Sequence, residues 1–517
     1  MATETSGQSG MKQTLGLTGV TVNAMALIAP GAFLWITYQL QAAQALPGSG
    51  EATGLDILPG ILFALGLAFL TALAYSELAR IYPEAGTGSC YYFAERSFLD
   101  KANAAHHRWA RPTKLLTAWA AHLFYWVYPG VMVAFMAILV SYVLGQFGID
   151  LGTIGQLVVA GVFAMLVGFV AVRGVTGSTT TALVINVVQL VTLVLFSVVA
   201  VAYRILNPDN ATFVHADAAS VVLPHSLIGM LAQSTIAILI LVGFESATAF
   251  GAEAKNAKRD VPRAVILALV IQGLFAYVIE YFSAGFALSD KLSGTAADGS
   301  AVTGLGAAAA SSAPIGDLIR QIGDSMLGGF GFPLAIVVAV TVALAILGTT
   351  LSAMNTGVRV TYAVAQDAEM PSLLGLLHGK YATPHWAVGL MVVVSAIIGM
   401  VGTLSVVALT GITLASNFGT FVLYAITCFI AFNAFISRKD FSFLKHGLVP
   451  VVGLLANVLM LVTIFGMGFA GGGDAQTESF IALGFAGVWA IVSVAYVLAR
   501  RGRRAPRQAL VPRTGTH

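Results

Sequence analysis

The chain has 517 residues, of which 58% are hydrophobic and 9% charged, with a mean hydropathy of +0.87 and a formal net charge of +3. Soluble domains carry about 25% charged residues, so this composition excludes an ordinary soluble protein and leaves a polytopic helical membrane protein. The small net charge points to no nucleic-acid partner. Cys90 and Cys428 stand far apart, which excludes a disulfide framework or a cysteine-based metal centre, and no cofactor is implied.

Residues 1–14 read as a polar tail ahead of the first apolar run, which is too long for the core of a cleavable signal. A bilayer core of about 30 Å needs roughly 20 apolar residues per helix. That length predicts twelve spans, near 15–45, 55–78, 114–146, 154–173, 179–205, 227–254, 263–288, 332–358, 385–403, 405–435, 448–470 and 478–500. With the N-terminus in the cytoplasm and the sides alternating, only Arg204, Lys291 and Arg320 of the 26 Lys and Arg residues fall outside. This asymmetry follows the positive-inside rule and predicts a multi-pass protein of the cell membrane with both termini cytoplasmic. Residues 501–517 form a basic tail; its LVPR resembles an engineered protease-cleavage sequence and receives no functional weight.

The first span carries LIAPGAFLW (27–35), with Pro30-Gly31 near its middle. Proline removes a backbone donor and glycine weakens helix, so the pair predicts an interruption. Span 3 reads WAAHLFYWVYPGVMVAF, with His122, Tyr125 and Trp126 on the order of 12–18 Å from its cytoplasmic start. An intramembrane histidine is either a proton carrier, its reference pKa being near neutrality, or a hydrogen-bond donor to a neighbouring helix. Span 5 carries Asn186 and Gln189.

Span 6 contains LILVGFESATAFGAE (239–253), which sets Gly243, Phe244, Glu245 and Ser246 deep in the membrane and predicts a second interruption. The two breaks fall in the first and sixth spans, hence at corresponding places in two five-helix units of opposite orientation. Such paired interruptions point to a transporter's binding site, because unwound backbone survives at membrane depth only when it is buried in protein or lines a cavity. Span 7 carries Glu280, which needs a partner, water or a proton. In the outer loop 289–331, Ile315, Leu318, Ile319 and Ile322 recur at helical spacing and predict a short amphipathic helix, either a lid or a packed surface helix. Span 8 offers Thr349, Thr350 and Ser352, as sodium ligands or as small packing residues.

Four segments resemble the amino acid–polyamine–organocation transporters. They are VGFESATAFGAEAKNAKRDVPRAV (242–265), YSELARIYPEAGTGSCYYFAE (75–95), NTGVRVTYAVAQDAEMPSLL (355–374) and LHGKYATPHWAV (377–388). The resemblance covers spans 1–10. It implies an all-α leucine-transporter-type fold of two inverted five-helix repeats, 15–205 and 227–435, followed by spans 11 and 12 within 448–500. It also implies a solute held between spans 1, 3, 6, 8 and 10, and alternating access. The site residues carried over are Ala29, Pro30, Gly31 and Ala32 at the first break, Tyr125 on span 3, and Gly243, Phe244, Glu245 and Ser246 at the second.

In that family the first break grips a carboxylate through main-chain N–H groups. Pro30 has none, which gives an amine, a polyamine or a modified acid more weight as solute. Phe244 matches an aromatic gate, Ser246 a cap, and Glu245 either a solute-facing charge or an acceptor for freed N–H groups. Sodium-independent relatives often carry a lysine in span 5, and this chain has Gln189 at the ion-site position instead. Proton coupling through His122 or Glu280, sodium coupling and exchange therefore all stand.

A membrane enzyme would need paired ligands or an activated nucleophile, and a channel would need pore-lining rings; neither is found in the sequence. The expectation is a secondary transporter of an amino acid or amino acid derivative, with a polyamine or other organic amine as the second solute class.

Overall fold

The computed structural model describes residues 13–28, 32–46, 49–83, 88–173, 179–251, 253–381, 383–470 and 472–499. Among them eleven helices are long and apolar enough to cross a membrane, and the bent pair Leu17–Ile28 and Phe33–Ala43 brings the number to twelve. Neither half of that first span carries a charged side chain, and their axes diverge by 41°. The remaining spans are Ile57–Ile81, Ala110–Gly145, Gly152–Val172, Thr179–Leu206, Leu227–Phe250, Ala257–Ala287, Gly331–Gln366, His385–Gly402, Val406–Phe435, Phe443–Phe469 and Gly473–Ala499. They are numbered 2 to 12 below. Twelve crossings return the chain to its starting side, and the side that carries both ends of the bundle is called the inner side below.

The expected spans all form, but several helices run further than hydropathy suggested. Span 8 continues eight residues beyond the expected end, and the one charged side chain in that stretch, Arg359, is paired with Glu253 at 3.0 Å, which offsets part of the cost of its charge. Span 3 starts four residues early, where Arg111 and Lys114 find Glu369, Glu95 and Asp367. It passes through Pro129 without ending, as membrane helices do when neighbours satisfy the freed groups.

Burial orders the bundle. In span 6, 78% of the apolar window is buried, and in span 3, 72%, against 11% in span 12. Spans 1, 2, 3, 6 and 10 therefore build the centre, while spans 4, 5, 11 and 12 turn Leu, Ile, Val and Phe outward, which costs nothing against equally apolar lipid tails. Small residues let the central helices approach. A Cβ on Gly419 of span 10 would stand 2.7 Å from the Phe124 amide nitrogen of span 3.

Both long loops contain folded elements among the described residues. The inner one forms the helix Cys90–Leu99, burying Tyr91, Phe93, Ala94 and Phe98. The outer one forms a hairpin pairing Ser293–Thr295 with Ala301–Thr303 and the amphipathic helix Pro314–Met326. The four apolar residues expected to face inward are buried. Gly316 of this helix sits directly on the Trp35 ring and the Tyr142 hydroxyl, so the helix seats over the outer half of span 1.

Candidate functional site

The interruption in span 6 is visible in the main chain. An α-helix, Leu227–Ala237, gives way to a 3-10 turn at Ile238–Ile240, and a second 3-10 segment runs over Phe244–Phe250. Between them Gly243 has φ of 127°, a conformation open to glycine and strained for other residues. Gly243 also faces the end of the first half of span 1. A Cβ there would lie 2.7 Å from Leu27 Cδ2, 2.8 Å from Ile28 Cγ1 and 3.1 Å from the Ile28 nitrogen. The second break thus abuts the inner edge of the first. Ala29, Pro30 and Gly31 lie outside the described residues, and Ala32 opens the helix Ala32–Ala43.

Helix ends buried in a bundle must find partners for their free carbonyls, and here they come from the surrounding spans. The Tyr128 hydroxyl donates to the Leu27 carbonyl at 3.1 Å and the Tyr277 hydroxyl to the Ile28 carbonyl at 2.8 Å. Thr349 donates to the Ala26 carbonyl at 3.0 Å, and further back in the helix Asn186 Nδ2 adds a bond to the Val22 carbonyl at 3.1 Å. On span 6, Asn417 Nδ2 donates to the Thr235 carbonyl at 2.7 Å. Ser246 Oγ donates to the Gly243 carbonyl at 2.6 Å, closing the turn locally.

Glu245 is buried at the centre of this arrangement. Its Oε2 accepts the Gly243 amide at 2.9 Å and the Tyr424 hydroxyl at 2.9 Å, while Oε1 accepts the Tyr125 hydroxyl at 3.1 Å. One carboxylate thereby joins the span 6 break to spans 3 and 10. Phe244 is fully buried against Tyr424, with ring centroids 5.5 Å apart, and edge-on to Tyr75 at 6.2 Å. The rings facing Phe244 are thus both aromatic.

Other expected site residues lie elsewhere. His122 packs against Trp126 and Trp489, with centroids at 5.0 and 6.0 Å. It borders an apolar cavity of about 710 Å³ between spans 3 and 12, away from Glu245. Gln189 donates to the Thr341 carbonyl of span 8. Thr350 donates to the Ile346 carbonyl of its own helix at 2.6 Å, and Ser352 is half-buried. Thr349 alone of that trio reaches the first break. Glu280 is 1% exposed, and neither of its oxygens has a hydrogen-bond partner among the described residues.

Tyr128, Tyr277, Asn417 and Tyr424 did not stand out in the sequence. Each is a polar side chain inside an apolar span, and the spacing of Tyr125 with Tyr128, and of Tyr277 with Tyr281, places pairs on one helix face. That signal was available, but it does not say which carbonyl each hydroxyl meets.

Comparison with known proteins agrees with this architecture. Along 80% of its length the chain is 23% identical to the methylthioribose transporter of Bacillus subtilis strain 168, covering 80% of that protein. It is 24% identical to the branched-chain amino acid permease BcaP of the same organism over 90% of both chains. It is 22% identical to BcaP of Lactococcus lactis subsp. cremoris over 86% of this chain and 88% of that one. Residues 24–508 match the family model described as amino acid permease, and the chain belongs to that family of membrane transporters.

Proposed function

We propose that this permease carries a neutral, largely apolar amino acid or a close derivative, held between the breaks of spans 1 and 6 and moved by alternating access. The leucine-transporter-type arrangement of two inverted five-helix repeats, residues 15–205 and 227–435, is part of this reading.

The observation that carries it is the state of Glu245. Its oxygens are taken up by the Gly243 amide and the hydroxyls of Tyr125 and Tyr424, so the one carboxylate at the break is committed to the protein. A polyamine or organic amine would want a carboxylate free to pair with its charge. The helix Ala32–Ala43 instead presents its N-terminus to the break, where main-chain N–H groups and the helix dipole suit a solute carboxylate. Phe244, Tyr75 and Tyr424 suit an apolar side chain and exclude water. The solutes for which the relatives are named, branched-chain amino acids and methylthioribose, share an apolar portion and no net charge, which supports the same class. The concentration of Lys and Arg on the inner loops supports a cytoplasmic location for both termini.

The test is uptake of radiolabelled isoleucine into proteoliposomes, challenged with neutral amino acids, methylthioribose and putrescine. Saturable uptake displaced by neutral amino acids and indifferent to putrescine is the expected result. Displacement by putrescine alone would transfer the assignment to the amine class.

A further inference from the structure

Span 7 grips both halves of the broken first span. Tyr277 donates to the Ile28 carbonyl at the end of the inner half. One turn on, Tyr281 shares a hydrogen bond with Thr37 of the outer half, whose hydroxyl also contacts the Phe33 carbonyl at 2.5 Å. The Tyr281 ring further packs on Tyr38 at 6.0 Å, and Tyr277 on Phe33 at 6.4 Å. Glu280 lies in sequence between these two tyrosines. Over Val270–Tyr277, a stretch that ends on the first of these tyrosines, span 7 loosens into a π-helix, a distortion frequent at functional sites.

The Glu280 carboxyl is the unexplained element of this grip. It is buried, and both oxygens are unpartnered among the described residues. An ionised carboxylate cannot be kept in such surroundings at tolerable cost; a protonated one can. Among the described residues, the ionisable groups on the elements around it do not supply a counter-charge. Tyr38, Tyr203, Tyr277 and Tyr281 are phenols. At the outer end, Arg204 donates to the carbonyls of His215 and Ala216 and covers the Phe213 ring, and His215 lies in the loop beside it. Span 2 contributes Asp56, which binds the amides of His225 and Ser226, and the Glu77–Arg80 pair at its far end. Its Tyr75 faces Phe244.

We propose that Glu280 is the proton site of this transporter, occupied while span 7 holds the two halves of span 1 as seen here and emptied when those halves part and water reaches the carboxyl. The inference rests on the transporter reading. The proton moves between the carboxyl oxygen and water, with no other bond made or broken. Because Tyr277 and Tyr281 tie the same helix to both sides of the break, any motion of span 1 that opens the site alters the surroundings of Glu280. By linkage, protonation in turn biases the break.

Two measurements test it. Wild type and Glu280→Gln in proteoliposomes are given labelled isoleucine, first as exchange at equal pH and then with an imposed pH gradient. Wild type is expected to accumulate solute with the gradient, about tenfold per pH unit for one proton per solute. Glu280→Gln is expected to exchange at a comparable rate and to lose accumulation. Accumulation by Glu280→Gln as in wild type overturns the proposal, and so does loss of exchange together with accumulation, which marks a structural role. The second measurement needs no solute. Infrared difference spectra of the purified protein on raising pH should show loss of a carboxylic-acid C=O band that is missing from Glu280→Gln. An unchanged band in the variant overturns the proposal. If wild type moves no isoleucine but the band behaves as expected, the solute assignment fails and the proton site stands.

Discussion

Gly243 of span 6 packs against Ile28 of span 1 so closely that a methyl group added to it would stand 2.8 Å from Ile28 Cγ1 and 3.1 Å from the Ile28 nitrogen. The contact joins two helix ends that have stopped hydrogen bonding along their own axes. Gly243→Ala meets two penalties, the positive φ and the close approach. The first costs about 1–3 kcal/mol for an L-residue held in so sparsely populated a conformation and overpacking about 1–3 kcal/mol. The variant is expected to melt several degrees lower in detergent and to transport at least tenfold more slowly. A wild-type melting temperature and rate would mean that the two spans are not held at this contact.

Glu245 takes two hydroxyl donors from opposite sides of the bundle. Tyr125→Phe and Tyr424→Phe each delete one, leaving a buried carboxylate short of a partner at a cost of about 1–3 kcal/mol. Because both act on one group, the double variant should depart from the sum of the singles by roughly 0.5 kcal/mol or more. Thermal unfolding of all four proteins in the cycle decides it; strict additivity would show that the tyrosines serve Glu245 independently.

In the connection between spans 5 and 6, the His215 imidazole is pushed below its ordinary value by burial, with His225 nearby adding to the effect. Lowering of a histidine means that the folded chain binds its proton less readily than the unfolded chain. Stability therefore falls as pH drops through the ordinary histidine range near 6.5 and keeps falling until the folded group itself titrates. The melting temperature is expected to drop between pH 8 and pH 5, and His215→Gln to flatten that dependence. A variant with the wild-type slope would place the titration elsewhere.

The number of spans and the position of the second break were legible because hydropathy and a Gly-Phe-Glu-Ser sequence are local properties. Pro30-Gly31 was equally clear as a signal, and the helices on either side of it do diverge by 41°. What escaped the sequence was pairing. Nothing in AYVIEYF says that Tyr277 meets the Ile28 carbonyl, or that Tyr424 and Tyr125 converge on one carboxylate from spans 10 and 3. His122 shows the same limit from the other side. Its cost in a membrane made it a candidate, but helix rotation turns it toward Trp489 and away from the break. Depth along a helix can be read from a sequence, whereas facing depends on how helices pack.

The inner ends of spans 1, 6 and 8 are fastened together. The Leu15 amide donates to the Glu253 carbonyl at 3.0 Å, and the Lys255 amide to the Leu15 carbonyl at 2.8 Å. The Glu253 side chain pairs with Arg359 of span 8 at 3.0 Å, and the Arg359 guanidinium lies over the Phe250 ring at 4.8 Å. A solute leaving toward the inner face from the break would have to part these three ends, so the ion pair is expected to hold that exit closed. Arg359→Ala removes the pair, the ring contact and a hydrogen bond to the Ala249 carbonyl, and should shift the population toward an arrangement open on the inner side. A cysteine placed at Ser246 should then react with a membrane-permeant thiol reagent several-fold faster than in the Arg359 parent. Arg359→Lys keeps the charge but loses the planar stacking, and its rate should fall between the two. Equal reactivity in all three backgrounds would show that the main-chain bridge alone closes the exit.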